Sequence, residues 1–198
     1  MPYEYRRMTN AEREAVLKQR EAKGYPLYAP PHPFKVKTCY LLTAANYEHQ
    51  GIIKPEARLT EFQKLVFERF AEFEVEVAAW VFLHNHYHLL AFVPHFPRLS
   101  ILFNRLHGVT SRQWNLEDEK VGRKVWYKYT DRMIRDERHY FATINYIHYN
   151  PVKHGYTKRA DEWPWSSFHW YFEHSGRDWL VEIWKRYPIK SYGDKWDI

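Results

Sequence analysis

Residues 83–90 read LHNHYHLL, with His84, His86 and His88 at every second position inside an apolar run. On a β-strand that spacing sets imidazoles on one face. His86 and His88 would share the face with Leu90 and Phe92, while Tyr87, Leu89, Ala91 and Val93 take the other. A strand apolar on both sides belongs at the centre of a sheet, and imidazoles buried there need polar partners or a cation. Neutral imidazole is a common metal ligand. A lone histidine in such a run reads as a hydrogen-bonded core residue; two in phase put a metal site on an equal footing with that reading. His84 is in phase too, but it falls at the strand junction, where solvent can satisfy it, and it ranks below the other two.

A second stretch, NYIHYNPVKHG at 145–155, sets Tyr146 and Asn150 four residues apart. On a helix such a pair lies on one face. His139 stands seven residues before Tyr146, on roughly the same stripe. A tyrosine hydroxyl can act as a nucleophile, but with an ordinary pKa of about 10 it needs a base or a cation beside it. The chain has 16 tyrosines, so spacing alone does not single out Tyr146.

The elements that would position these groups are set by hydrophobic period. Residues 36–45 predict a strand. Apolar residues at Leu59, Phe62, Leu65, Val66, Phe70 and Phe73 predict a one-faced helix over 59–73. Strands are expected at 75–83 and 87–93, a helix interrupted at Gly108 over 99–116, and a strand over 125–133. A further helix over 136–150 has an acidic start that suits its dipole and is expected to stop at Pro151. The first six elements match a β-α-β-β-α-β plan. The fold class expected is α+β and ferredoxin-like, an antiparallel sheet with helices on one face. Residues 1–34 read as an N-terminal arm, 35–160 as the main domain, and 161–198 as an aromatic tail packing back on it. WPWSSF at 163–168 reads as a packing clasp in preference to a base-stacking surface.

Composition bounds the function classes. The 198 residues are 45% apolar and 19% aromatic, with a formal net charge of +6. That is enough apolar content for one cored domain. Basic charge with many rings suits a nucleic-acid partner, since phosphates attract Lys and Arg and unstacked bases attract rings; a basic enzyme with an aromatic core fits the numbers as well. A single cysteine, Cys39, excludes an internal disulfide and a Cys-x-x-Cys zinc site and fits a reducing compartment. No apolar stretch approaches the roughly 18 residues of a membrane span, and the N-terminus lacks the apolar core of a secretory signal. A cytoplasmic protein is expected, in a bacterium one at the chromosome.

Two motifs carry a family resemblance. NHYHLL resembles the His-hydrophobe-His motif of HUH endonucleases. YIHYNPVKHGYTKRADEWPWSSFHWY, 146–171, is similar to the signature segment of the REP-associated tyrosine transposases, a branch of the small single-tyrosine, IS200-like HUH transposases. GRKVWYKYTDRMIRDERHY, 122–140, resembles the segment before it, and the likeness runs in order from about 36 to 171. His84 stands where a proline is common, and Tyr87 where an aliphatic residue is usual.

The resemblance implies a compact HUH nuclease domain. His86 and His88 would hold Mg²⁺ or Mn²⁺, with Asn150 completing the site; His139 is the alternative third ligand. Tyr146 would attack a phosphodiester, leaving a 5′-phosphotyrosine and a free 3′-hydroxyl, so that the strand can later be resealed. The substrate implied is single-stranded DNA flanked by hairpin structure. Lys153, Lys158 and Arg159, with Arg105, Arg112, Arg123 and Lys124, are candidates for phosphate contacts; for each alone, an ordinary solvated cation is an equal reading. Two rivals stay open, a hairpin-binding protein that does not cut and a hydrolytic metallonuclease that forms no adduct. Monomer and homodimer both stay open, since insertion-sequence relatives are swapped dimers and the REP-associated branch leans towards monomers.

Overall fold

The computed structural model describes residues 38–193, together with Thr9, Ala11, Glu12, Glu14, Ala15 and Lys18. The chain divides into two compact units, 1–35 and 36–198. In the first, Thr9 Oγ1 accepts from the Glu12 backbone N–H, and the Glu12 carboxylate accepts from the Thr9 N–H at 2.7 Å. That reciprocal pair is a capping box, ahead of helical backbone at the described residues between 11 and 18. The rest of the expected arm over 1–34 lies outside the described residues.

The second unit contains β1 (Thr38–Ala45), α1 (Glu56–Glu72), β2 (Glu76–Phe82), β3 (His86–Val93), α2 (Leu99–Glu117), β4 (Thr130–Met133), α3 (Glu137–Lys153) and α4 (Phe168–Arg186). The strands form one antiparallel sheet in the order β2-β3-β1-β4, the order a ferredoxin-like fold requires. β3 pairs on both edges, and every residue of it except Phe92 is buried. Pairing with β1 runs its full length, from Thr38 opposite Val93 to Ala45 opposite His86.

One face of the sheet packs on α1 and α2. α1 buries Leu59, Phe62, Val66 and Phe70, a stripe of helical period. Phe62 meets Tyr87 and Trp114 edge-on, each at 5.3 Å between centroids. The Tyr87 hydroxyl reaches His107 Nε2 at 2.9 Å, and His107 stacks on Trp126 at 4.4 Å. The opposite face is covered too, by α3. The two helices of the β-α-β-β-α-β unit share one face, as expected, and a further helix takes the other. β3 is apolar on both sides, so a second layer has to keep its histidine face from water.

Three expectations shift. The fourth strand begins at Thr130; Trp126 forms only an isolated bridge with Asn46 and turns its ring into the core. α2 runs through Gly108 without a break. α3 runs through Pro151, because the Asn150 carbonyl still receives the His154 N–H and closes one more turn.

The clasp segment seals the free edge of β2. Phe82 N–H donates to Trp165 O and Ser167 N–H to Trp80 O, both at 2.9 Å, and Trp163 Nε1 donates to Phe82 O. An exposed strand edge is thereby paired. The chain then enters α4, a helix broken at Gly176, where φ is +82°. It docks on α3 through Asn145 Nδ2, which donates to the carbonyls of Ile183 and Tyr187. Among the described residues no helix is long and apolar enough to cross a membrane.

Two core histidines set an acid limit on this fold. Ser167 Oγ accepts the Trp80 N–H and lies 2.9 Å from His148 Nε2. His107 Nε2 is likewise paired with the Tyr87 hydroxyl. Burial pushes both imidazoles down to about 3. Their unfolded forms bind protons from near pH 6.5 downward while the folded forms do not, so stability is complete at neutral pH and falls as the pH drops. Between about pH 6 and pH 4 the loss should approach about 2.7 kcal/mol per pH unit, about 1.36 for each histidine. Urea unfolding at stepped pH checks this: His148→Gln should halve the slope, and a flat profile in the wild type would refute the assignment.

Candidate active site and metal centre

His86 opens β3, and its ring is fixed from the loop beside it. Asn85 Nδ2 donates to His49 O at 3.1 Å, which orients that amide with Oδ1 towards the imidazole. Oδ1 lies 2.7 Å from His86 Nδ1, so Nδ1 carries the proton. His86 Nε2 faces Asn150 Oδ1 at 3.1 Å, and the buried Asn150 Nδ2 has no hydrogen-bond partner. With the imidazole neutral, Nε2 and Oδ1 would both offer lone pairs to a cation.

His88 stands two residues along the same face, its ring 5.1 Å from that of His86. Thr43, its partner across β1, holds Nδ1 at 2.7 Å. Nε2 points to the Tyr146 hydroxyl, 3.3 Å away. Both histidines thus direct Nε2 towards the same helix, α3, whose one-turn spacing supplies Tyr146 and Asn150. Among the described residues no three His, Cys, Asp or Glu side chains gather as a metal site. The donor set here is two imidazoles and an amide oxygen, all neutral. It fits a hard dication, since Asn oxygen suits Mg²⁺ and imidazole extends the range to Mn²⁺, and it leaves the ion's full charge for an anionic substrate.

Tyr146 is 1% exposed. Lys153 Nζ lies 5.2 Å from its ring centre and donates to Gly193 O at 2.8 Å. The segment 188–193 forms a roof. Tyr192 meets the Tyr146 ring edge-on at 5.6 Å. Gly193, at φ +84°, packs so closely that a methyl group there would overlap the tyrosine ring. Tyr192 is anchored by a directed chain of bonds. The Arg135 N–H donates to His139 Nδ1, so Nε2–H donates to the Tyr192 hydroxyl at 2.9 Å, and that hydroxyl meets Thr143 Oγ1.

The structure therefore sets Asn150, and not His139, against His86. His84 lies apart from the pair, edge-on to Tyr156 and Trp163 at 5.0 and 5.5 Å. Of the predicted phosphate contacts, Lys153 is the one beside Tyr146. Arg123 is bonded to Asn115 and Asp118 at the end of α2, and Arg159 to Asp161. Arg105 lies over Phe73 and Lys124 over Tyr47; Arg112 and Lys158 are exposed surface residues. Thr43, Asn85, Tyr192 and Gly193 are absent from the sequence-based expectation. Thr43, Tyr192 and Gly193 lie outside the quoted motifs and act through contacts distant in the chain, while Asn85 lies inside NHYHLL and acts from the turn before β3.

No protein-family model matches the chain. A Haemophilus influenzae protein named as a REP-associated tyrosine transposase is 31% identical over 121 residues, which are 56% of this chain and 69% of that protein. The chain belongs to the REP-associated tyrosine transposase family. Members of this family are enzymes that act on DNA. An Escherichia coli REP-associated tyrosine transposase is 29% identical over 125 residues, 62% of this chain and 66% of its own length. A solved structure of a REP-associated tyrosine transposase bound to a REP hairpin has the same fold, with a TM-score of 0.59 and 19% identity over 75% of this chain and 88% of that one.

In this family member the roof over Tyr146 depends on a residue without a side chain. Gly193→Ala adds a methyl where the ring stands, and its left-handed φ costs a further 1–2 kcal/mol or so. Amide hydrogen exchange over 189–193 should rise at least about tenfold, the factor that 1.4 kcal/mol of opening free energy gives, with β1 and β3 unchanged. Unaltered exchange would show that Gly193 is not what seats the roof.

Proposed function

We propose that the protein is a metal-dependent endonuclease and strand transferase for single-stranded DNA beside REP-type hairpins, with Tyr146 as nucleophile. The observation that carries this reading is the Tyr146 hydroxyl 3.3 Å from His88 Nε2, next to the His86 Nε2–Asn150 Oδ1 pair. The REP hairpin bound by the structural neighbour supports the class of substrate.

His86 Nε2, His88 Nε2 and Asn150 Oδ1 would hold Mg²⁺ or Mn²⁺. When bound, the ion polarises the scissile phosphate and neutralises charge developing on it. This chain's own residues do the rest. Tyr146 Oη forms a bond to phosphorus as the bond to the 3′-oxygen breaks; the phenol proton passes to water and the departing 3′-oxygen takes one up. The Lys153 ammonium, 5.2 Å from the ring centre, sets a positive charge beside the nucleophile for the incoming phosphate. Asn85 and Thr43 hold both imidazoles in orientation through their Nδ1 atoms. The phosphodiester is exchanged, not hydrolysed, so a 3′-hydroxyl can reverse the step and join strands without a nucleotide cofactor. Because the tyrosine is buried, the 188–193 roof has to swing aside for DNA to enter. Lys153 with Lys158, Arg159, Arg112, Arg105, Arg123 and Lys124 are the proposed backbone contacts.

A hairpin oligonucleotide with a single-stranded extension, incubated with Mn²⁺ and run on a denaturing gel, tests the nucleophile. The wild type should yield a covalent protein–DNA band. Tyr146→Phe should keep binding but lose band and cut together, by at least about a hundredfold, since chance water poorly replaces a fixed nucleophile. Tyr149→Phe is the control, because that residue is 39% exposed and packs on Trp184. A cut with no adduct would favour a hydrolytic nuclease, and binding with neither would favour a hairpin binder.

The ligand set is separable from catalysis by Mn²⁺ titration followed by electron paramagnetic resonance. His86→Ala and His88→Ala should abolish binding, and Asn150→Ala, which removes a neutral oxygen ligand, should weaken it by at least about tenfold, no less than the loss of an outer-shell partner. His139→Ala should leave it unchanged; loss there and not in Asn150→Ala would reassign the third ligand.

A further inference from the structure

Beside the roof a cavity of about 560 Å³ opens between the end of β4, the first turn of α3 and residues 188–192. Its wall carries Arg132, Arg135, Arg138, His139 and Lys190, with Tyr192 between it and Tyr146. The arginines and the lysine are exposed. Among the described residues one carboxylate lines the cavity, that of Asp136, and its Oδ1 is engaged in capping α3 through the His139 N–H at 2.8 Å. The next acid, Glu137, accepts the Tyr187 hydroxyl on the other side. Arg135, Arg138 and Lys190, gathered around one committed carboxylate, repel one another, a cost that an anionic ligand removes. The crowding reaches His139, held below its usual range by burial foremost, with Arg132 and Arg135 adding to this against Asp136.

Arg132 also lines a smaller hollow of about 150 Å³ with Leu41, Thr43 and Thr130. Thr43 is the residue bonded to His88. Arg132 thus borders both the histidine face of the sheet and the basic cavity, close enough to Tyr192 and Tyr146 for its charge to act on both phenols. A strand whose scissile phosphate lies at Tyr146 would meet Arg132 next and the remaining cations after it.

We propose that this cavity binds the backbone phosphates of the single strand adjoining the cleaved linkage, with Arg132 leading the strand from the histidine pair into it. The proposal rests on the reading of the protein as a single-strand DNA endonuclease. A polyanion is the ligand that fits, because a lone small anion would neutralise only part of so many cations. Guanidinium groups are suited to it, since each can take a phosphate with two parallel N–H donors.

The test uses the full-length chain and two labelled oligonucleotides, a hairpin with a single-stranded extension and the same hairpin made blunt. Binding is measured by fluorescence anisotropy across a salt series. For the extended hairpin, Arg135→Gln/Arg138→Gln should lower affinity about tenfold and flatten the log–log salt slope by about 1.4, at about 0.7 for each single-strand phosphate no longer neutralised. The blunt hairpin should be bound as before. Arg135→Lys/Arg138→Lys should restore most of the slope, since it keeps the charge, and Lys190→Gln gives an independent variant on the opposite wall. An unchanged slope in a protein whose wild type forms the Tyr146 adduct would overturn the pocket and leave the endonuclease reading standing. Equal loss on both oligonucleotides would overturn it as well, in favour of diffuse surface charge. A wild type that binds neither oligonucleotide and forms no adduct would remove the reading beneath it.

Discussion

The site depends on one constraint: a strand buried on both faces carries two imidazoles. β3 lies between β1 and β2, and neither His86 nor His88 reaches bulk water to satisfy its ring nitrogens. An unpaired buried polar group costs about 1–3 kcal/mol, so each nitrogen has to be matched locally. Asn85 and Thr43 match the two Nδ1 atoms. That choice leaves both Nε2 atoms directed at α3. The same satisfaction that lets the strand fold also turns both Nε2 atoms to where the proposed cation would sit, so one set of bonds serves packing and the proposed chemistry.

α3 answers from across the interface. Its buried face is mixed, with Tyr146 and Asn150 one turn apart among Ala142, Thr143, Ile144 and Ile147. The apolar members hold the helix on the sheet; Tyr146 and Asn150 face the two histidines. The helix has its own anchor behind it, where Asn145 donates to α4 and its C-cap, and His148 takes the Ser167 hydroxyl. Since Ser167 also binds the outer edge of β2, the clasp fixes the helix and the sheet relative to each other. Precision at Tyr146 thus rests on contacts well away from it.

Charge is distributed unevenly around this centre. The proposed metal ligands are neutral, while the cations stand outside, at Lys153 and around the Arg132 cavity. An ion held there would keep its full charge for a phosphate, and the surrounding field would draw a polyanion to it. The roof of Tyr192 and Gly193 adds the opposite element, closing Tyr146 behind a segment held by a few hydrogen bonds.

Much of this is legible in the chain. Period-two and helical hydrophobic patterns locate the strands and the first three helices to within a few residues, because those periods come from backbone geometry alone. The in-phase histidines and the one-turn pair Tyr146 and Asn150 are readable for the same reason, and the family likeness names them. Where the pattern is weak, the expectation goes astray. α4 is interrupted at Gly176, and Pro151 signals an end that a closing His154–Asn150 bond overrides. What only the tertiary structure decided are the relations between distant residues. Asn150 and His139 lie on one stripe of α3, yet Asn150 meets His86 and His139 meets Tyr192, since the tilt of a helix across a sheet is set by packing and not by spacing. Thr43 and Gly193 act on residues 45 and 47 positions away, where no local pattern operates. Sequence determines which groups can share a face; the three-dimensional packing decides which group each face meets.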